Sequence, residues 1–136
     1  MTDKNKSQKL APLMPYLTAK DLRKSSEFYQ KAFGFKLEEF REDNGVGVHA
    51  EMTFADARIL LGAEGAFGSD KQAPVSSQQS IPLSLWLYCS DVDALYKRGI
   101  AAGAVSLMEP NDAEWGHRVC MFRDVDGYEW GFCRPL

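Results

Sequence analysis

Two short stretches of the sequence, YLTAKD at residues 16–21 and WLYCSD at residues 86–91, share one layout and lie 70 residues apart. In both, an alternating run indicates a strand and the closing aspartate is a good helix N-cap. Gly34 and Gly103 follow the last helically spaced residue of each half and predict where the two helices end. The chain therefore contains an internal repeat of two similar units.

Each unit continues from its helix into three further strands. Asn44-Gly45 and Asp126-Gly127 are hairpin turn signals, and the run from Val48 to Phe54 alternates most clearly. We predict an α+β fold of two βαβββ modules whose bare sheet faces form one cupped mixed sheet around a groove. The predicted strands cover residues 12–18, 35–40, 48–54, 58–61, 83–89, 105–108, 117–123 and 128–133, with loops at 62–82 and 109–116.

The composition of the chain predicts the limits of its domain and modules. Residues 1–11 are polar and charged and predict a flexible N-terminal arm, and residues 12–136 predict a single domain. Within that domain the first module covers about 12–63 and the second about 83–134. The linker over 64–82 is rich in Gly, Ser, Gln and Pro and shows no periodicity.

Composition narrows the class of protein. The chain has 16 Lys and Arg against 19 Asp and Glu, a net charge of −3, and 45% apolar residues, all ordinary for a globular domain. Because it offers no long apolar run and no basic block, and its first residues are charged, we expect no membrane span, no secretory signal and no nucleic-acid partner. Three cysteines without metal-binding spacing are typical of reduced, buried thiols. These features predict a soluble cytoplasmic protein that acts on small molecules.

Several segments resemble one known family. They are PYLTAKD (15–21), EFYQKAFG (27–34), VHAEM (48–52), DVDAL (91–95), AAGA (101–104), WGHR (115–118) and RDVDGYEW (123–130). Together they resemble the vicinal oxygen chelate superfamily, which holds glyoxalase I, extradiol dioxygenases and bleomycin-binding proteins, and within it the PhnB-like branch. The resemblance covers roughly residues 12–134 and implies paired βαβββ modules and a homodimer.

The resemblance also implies a place for a metal. The family's enzymes hold a divalent ion with four side chains from the first and last strands of each module, usually His or Gln, Glu, His and Glu. The matching positions here are Met14, Leu60, Ser84 and Gly131. Because none of them is a good ligand for a hard divalent cation, we expect the usual metal centre to be absent and no cofactor to be required.

Other side chains remain to line the groove. Strand alternation turns Tyr16, Trp86 and Tyr88 inward, and aromatic rings with a few polar groups are a common recipe for binding an organic ligand. Trp115 and Arg118, beside Gly116, could clamp an anionic or aromatic ligand. The charged run at 38–43 is interpreted as a solvated hairpin without a function.

His49 and Glu51 lie two residues apart on the polar face of one strand, and His117 occupies the matching place in the repeat. The three could hold a metal in a non-standard position, with a divalent ion as the alternative cofactor, or His49 and Glu51 could act as an acid–base pair. They could also contact an organic ligand or be solvated surface groups.

These candidates leave three functions open. The leading prediction is binding of a small organic molecule in an aromatic-lined groove that includes Tyr16, His49, Glu51, Trp86, Tyr88, Trp115 and Arg118. The first alternative is a metal-dependent lyase, isomerase or dioxygenase that uses His49, Glu51 and His117. The second is a non-catalytic module whose aromatic face meets a protein partner.

Overall fold

A computed structural model describes residues 11–136, so the predicted arm falls almost entirely outside the described residues. The chain forms two modules in sequence, joined by a segment that holds a 3-10 turn and one short helix, α2. The first module contains β1 (Tyr16–Ala19), α1 (Leu22–Phe28) with a π-helical turn at Tyr29–Phe33, β2 (Lys36–Asp43), β3 (Val46–Phe54) and β4 (Ala57–Ala63). The 3-10 turn is Ala66–Gly68 and α2 is Pro74–Ser77. The second module contains β5 (Ser84–Tyr88), α3 (Val92–Ala101), β6 (Val105–Asp112), β7 (His117–Arg123) and β8 (Glu129–Pro135).

The two modules have the same sheet topology. The strand order is β1-β4-β3-β2 in one sheet and β5-β8-β7-β6 in the other, and the first strand of each module pairs in parallel with the last. Tyr16 lies opposite Leu60 in the first sheet, and Trp86 lies opposite Gly131 in the second. The predicted fold class, an α+β arrangement of two βαβββ modules, is confirmed.

Local signals in the sequence explain where the helices and hairpins form. Asp21 and Asp91 each accept a hydrogen bond from a backbone amide three residues later, at 3.2 and 3.0 Å. Gly34 ends the first helical segment with φ +80°, a left-handed conformation that favours glycine. Asn44 and Gly45 both have positive φ, as a two-residue hairpin turn requires.

The main core lies between the modules, where the helices are. Phe33 packs against Phe132 with ring centroids 4.9 Å apart, and Tyr29 against Trp130 at 5.6 Å. Each of these rings is buried, and burial of one aromatic side chain contributes about 2–3 kcal/mol. The helix-covered faces of the two sheets therefore meet through this core.

A buried polar network in the β7–β8 turn joins the modules at one end of the core. Asp124 accepts hydrogen bonds from the hydroxyl of Tyr29 and from Nε1 of Trp130. Asp126 accepts from Oγ of Ser25 at 2.6 Å and from the backbone amide of Lys20 at 2.9 Å. The turn of the second module is thus fixed to the start of α1 in the first.

Three predicted strand boundaries differ from the structure by three residues or more. Strand β1 begins at Tyr16 instead of residue 12, β2 runs on to Asp43, and β6 runs through the predicted loop to Asp112. Strand β6 tolerates this length because it is an edge strand with register shifts, where a proline such as Pro110 is permitted.

The linker is packed despite its lack of periodicity. Ala73 and Pro74 are buried. The amide of Ala73 donates to Glu64, and that of Val75 donates to the carbonyl of Asp126. No helix within residues 11–136 is long and apolar enough to cross a membrane.

Candidate functional site

Strand alternation gives each sheet one face covered by helices and one bare face. The buried residues Leu17, Ala19 and Leu61 lie on the covered side of the first sheet. Tyr16 and Trp86 lie on the sides of their sheets that the helices do not cover, and they remain 54% and 42% exposed. We define the first bare face as Tyr16, Thr18, His49, Glu51, Arg58, Leu60 and Gly62. We define the second bare face as Ser84, Trp86, Tyr88, His117, Met121, Gly131 and Cys133.

The two bare faces point away from each other. The covered faces meet in the inter-module core, so the opposite faces lie on the outside of the molecule. The structure consequently divides the predicted ligand contacts into two groups. Tyr16, His49 and Glu51 lie on the first bare face, whereas Trp86 and Tyr88 lie on the second. One groove made from both faces requires a second chain.

A chain of polar contacts crosses the first bare face. The hydroxyl of Tyr16 lies 3.0 Å from Nδ1 of His49, and Nε2 of His49 lies 3.3 Å from Oε2 of Glu51. Nη1 of Arg58 donates to Oε1 of Glu51 at 3.1 Å. Burial raises the pKa of Glu51, but the hydrogen bonds of His49 and Glu39 and the charges of His49 and Arg58 lower it and prevail. Glu51 is therefore held as a carboxylate.

A cavity of about 300 Å³ opens beside Tyr16. Gly62 lines this cavity. The Tyr16 ring lies so close to it that a Cβ at this position would come within 2.9 Å of the ring. The 3-10 turn supplies Phe67, which is 73% exposed, and Lys71 lies at the rim. Ser69 and Thr18 add hydroxyl groups, so the cavity offers two rings, one cation and several hydrogen-bonding groups.

The second bare face holds a more aromatic cavity of about 310 Å³. Its lining is Trp86, Tyr88, Trp115, His117 and Cys133. The rings of Tyr88 and His117 lie 5.8 Å apart, and Tyr88 and Trp115 are each 66% exposed. Three aromatic side chains that remain open to solvent around one cavity can stack on a planar ligand.

Trp115 and Arg118 lie on different sides of the second sheet: Trp115, in the turn before β7, lines the cavity on the bare face. Arg118 lies on the covered face with Cys120 and Phe122, where Nε and Nη2 donate to Asp93 at 2.7 and 2.9 Å. Its Nη1 donates to Asp112 at 2.9 Å. These hydrogen bonds lower the pKa of Asp93 and raise that of Arg118. The guanidinium is thus engaged within the module, and its role as a ligand contact stays a prediction.

The four positions that the resemblance assigns to a metal do not fit one. A Cβ at Gly131 would lie 2.4 Å from the indole of Trp86, so this ring covers the position. Nε1 of Trp86 donates to Oγ of Ser84 at 2.9 Å. Met14 and Leu60 offer a thioether and an alkyl group. The set lacks the imidazole and carboxylate ligands that a hard or borderline divalent ion requires.

His117 does not join His49 and Glu51, because it lies on the other module beside Tyr88. The third member of the cluster is instead Glu39. One donor atom each of Glu39, His49 and Glu51 lie within 4.8 Å of one another. Counting pairs outward from the Asn44-Gly45 turn would set Glu38 opposite Glu51. A bulge in the hairpin shifts the register and sets Glu39 there, which is why the sequence pattern missed it.

A family model, described as the Glyoxalase/Bleomycin resistance protein/Dioxygenase superfamily, matches residues 9–132. An uncharacterized protein of Mycobacterium bovis (strain ATCC BAA-935 / AF2122/97) is 28% identical over 127 residues, which cover 91% of this chain and 83% of that protein.

Two solved structures show the same fold. TioX from Micromonospora sp. ML1 has a TM-score of 0.76 and 24% identity, with 93% of this chain and 100% of that chain covered. A glyoxalase/bleomycin resistance protein/dioxygenase family enzyme from Burkholderia phytofirmans PsJN has a TM-score of 0.71 and 20% identity, with 90% and 97% covered. At these identities the likeness extends to the fold alone.

Proposed function

The chain belongs to the glyoxalase/bleomycin resistance protein/dioxygenase superfamily, and we propose that it binds a small planar organic molecule on the second bare face. One observation carries this proposal: Trp86, Tyr88 and Trp115 line a single cavity and keep much of their surface exposed. Stacking of rings contributes about 0.5–1.5 kcal/mol for each pair beyond the area that it buries. Three such contacts suit an aromatic, amphipathic ligand.

Binding without the family's usual metal centre is part of the proposal. The ring of Trp86 lies over Gly131 and is fixed by Ser84, so two of the four usual ligand positions now support an aromatic wall. Glycine at position 131 offers no metal ligand, and it leaves room for the Trp86 ring. The sequence-based assignments to the PhnB-like branch and to the cytoplasm stay predictions.

We further infer that the working form is a homodimer. The bare faces point outward within one chain, and each leaves large rings exposed, with Tyr16 on the first and Tyr88 on the second. A second copy that set its first bare face against the second bare face of this chain would enclose the ligand on both sides. Such enclosure would bury far more of a small ligand than an open sheet can.

The proposal is tested by a ligand screen that follows thermal unfolding and tryptophan fluorescence. Of the three tryptophans, Trp86 and Trp115 line the cavity and Trp130 is buried in the core. We expect planar aromatic compounds to raise the melting temperature and to quench the fluorescence, and Trp86→Ala to abolish both effects.

Ile100→Ala is the matched control, since Ile100 is an exposed apolar residue on α3 that lines neither cavity. This variant should respond to ligand as the wild type does. Retention of the full response by Trp86→Ala would contradict the proposal, and so would an equal loss of the response in Ile100→Ala.

A further inference from the structure

We propose that Glu39, His49 and Glu51 bind a borderline divalent transition-metal ion on the first bare face. The site lies on β2 and β3, away from the four positions that carry the metal in the family's enzymes. It combines one imidazole with two carboxylates, a set that suits ions such as Zn²⁺ or Co²⁺.

The spacing of the donor atoms fits one ion. Two donors that each lie about 2.0–2.2 Å from a metal are about 3.0 Å apart in octahedral and about 3.4 Å apart in tetrahedral coordination. Nε2 of His49 and Oε2 of Glu51 are 3.3 Å apart. One carboxylate oxygen of Glu39 and one donor atom each of His49 and Glu51 all lie within 4.8 Å of one another. His49 and Glu51 can therefore share an ion without moving, and a rotation of the exposed Glu39 side chain completes the set.

Neighbouring side chains orient both strand β3 ligands. The hydroxyl of Tyr16 lies 3.0 Å from Nδ1 of His49, which directs Nε2 towards the site. Metal-binding histidines commonly have such a partner on the second ring nitrogen. Arg58 bonds to Oε1 of Glu51 and leaves Oε2 facing His49. Each ligand thus presents one donor atom to the site and is held through its other.

Burial and charge are suited to a cation that keeps an open position. The side chains of His49 and Glu51 are only 14% and 21% exposed, unlike an ordinary cluster of surface acids. Glu39 is exposed on β2, the edge strand, so water or a ligand oxygen can reach the ion from that side. Binding of the ion would release any proton on the three ligands, because metal ligands must be deprotonated, and the carboxylates would then face the dication.

The test is a titration of the full chain, stripped of metal with a chelator, with Co²⁺. We expect one Co²⁺ for each chain, visible ligand-field bands, and displacement of the Co²⁺ by Zn²⁺. Removal of an outer partner of a metal ligand typically lowers the metal affinity by about tenfold or more. His49→Gln and Glu39→Gln remove ligands themselves, so they should lower the affinity for Co²⁺ by more than that. Tyr16→Phe removes only the outer partner of His49, so it should lower the affinity for Co²⁺ by about tenfold.

Glu38→Gln is the matched control because Glu38 is next to Glu39 on the same strand but bonds to Thr53. It should bind Co²⁺ as the wild type does. Thermal unfolding checks that each variant is folded, and Glu39 is exposed enough for its variant to fold. Absence of saturable binding would overturn the proposal, and so would equal affinity in the wild type, His49→Gln and Glu39→Gln. Equal weakening by Glu38→Gln would also overturn it, since this would indicate general attraction by acidic groups.

Discussion

At the scale of single residues, Tyr16 and Trp86 occupy equivalent places in the repeat but serve different chemistry. The Tyr16 ring lies beside Gly62 and its hydroxyl contacts His49, whereas Trp86 covers Gly131 and bonds to Ser84. Strand alternation alone predicted that both rings lie on bare faces. The glycine beneath each ring and the polar partner of each could not be predicted, because they depend on which residues pair across strands.

Asp126 should make folding stability depend on pH. Burial raises its pKa to about 6, helped by the charges of Asp124 and Glu64 and opposed by the hydrogen bonds from Ser25 and Lys20. A carboxyl whose pKa is higher in the folded state contributes stability below its unfolded pKa of 3.8 and loses it as the pH rises through 6. This loss is on the order of 3 kcal/mol by pH 7.

The effect is measured as the free energy of unfolding in denaturant at pH 5 and pH 7. The wild type should gain stability from Asp126 on acidification from pH 7 to pH 5. Asp126→Asn, which keeps the shape and removes the charge, should gain less. An identical change in both proteins would show that Asp126 does not titrate in this range.

At the scale of elements, hairpins and helix ends were predictable, and bulges were not. Asp21, Asp91 and Gly34 act as the sequence predicts because capping is a local interaction. The position of Glu39 depends on register shifts in the β2–β3 hairpin, and no single residue type marks such a shift. The extension of β6 to Asp112 likewise depends on pairing with β7, which only the folded sheet supplies.

At the scale of the whole molecule, the repeat was predictable but the way in which its halves meet was not. Both sides of β5 carry large apolar side chains, Leu85 and Leu87 on one side and Trp86 and Tyr88 on the other. Strand alternation assigned Trp86 and Tyr88 to the bare face, but it could not show whether the bare faces or the helix-covered faces of the two modules meet. The structure uses the leucine side, which leaves the rings outward, so a groove made from both bare faces would need the second copy that we propose.

The dimer is tested by the mass of the protein in solution. We expect twice the chain mass of 15.2 kDa by sedimentation. Tyr88→Glu, which places a charge among the exposed rings, should shift the mass towards the monomer. Val46→Glu changes an equally exposed residue at the β2–β3 hairpin and should leave the mass unchanged.

A monomeric wild type, or a dimer that Tyr88→Glu leaves intact, would contradict this assembly. A stable dimer whose melting temperature no organic compound raises would instead favour the remaining alternative, a module that binds a protein partner. The two measurements together thus separate ligand binding from a purely structural use of the rings.

The most direct test of ligand binding on the second bare face uses the three indole N–H signals in a ¹H–¹⁵N NMR spectrum. A planar aromatic compound that raises the melting temperature is added to the ¹⁵N-labelled protein. The signals of Trp86 and Trp115 should shift as the compound binds, while that of Trp130, buried and bonded to Asp124, should stay in place. Binding of the compound without a shift of the Trp86 and Trp115 signals would show that the ligand does not bind on the second bare face.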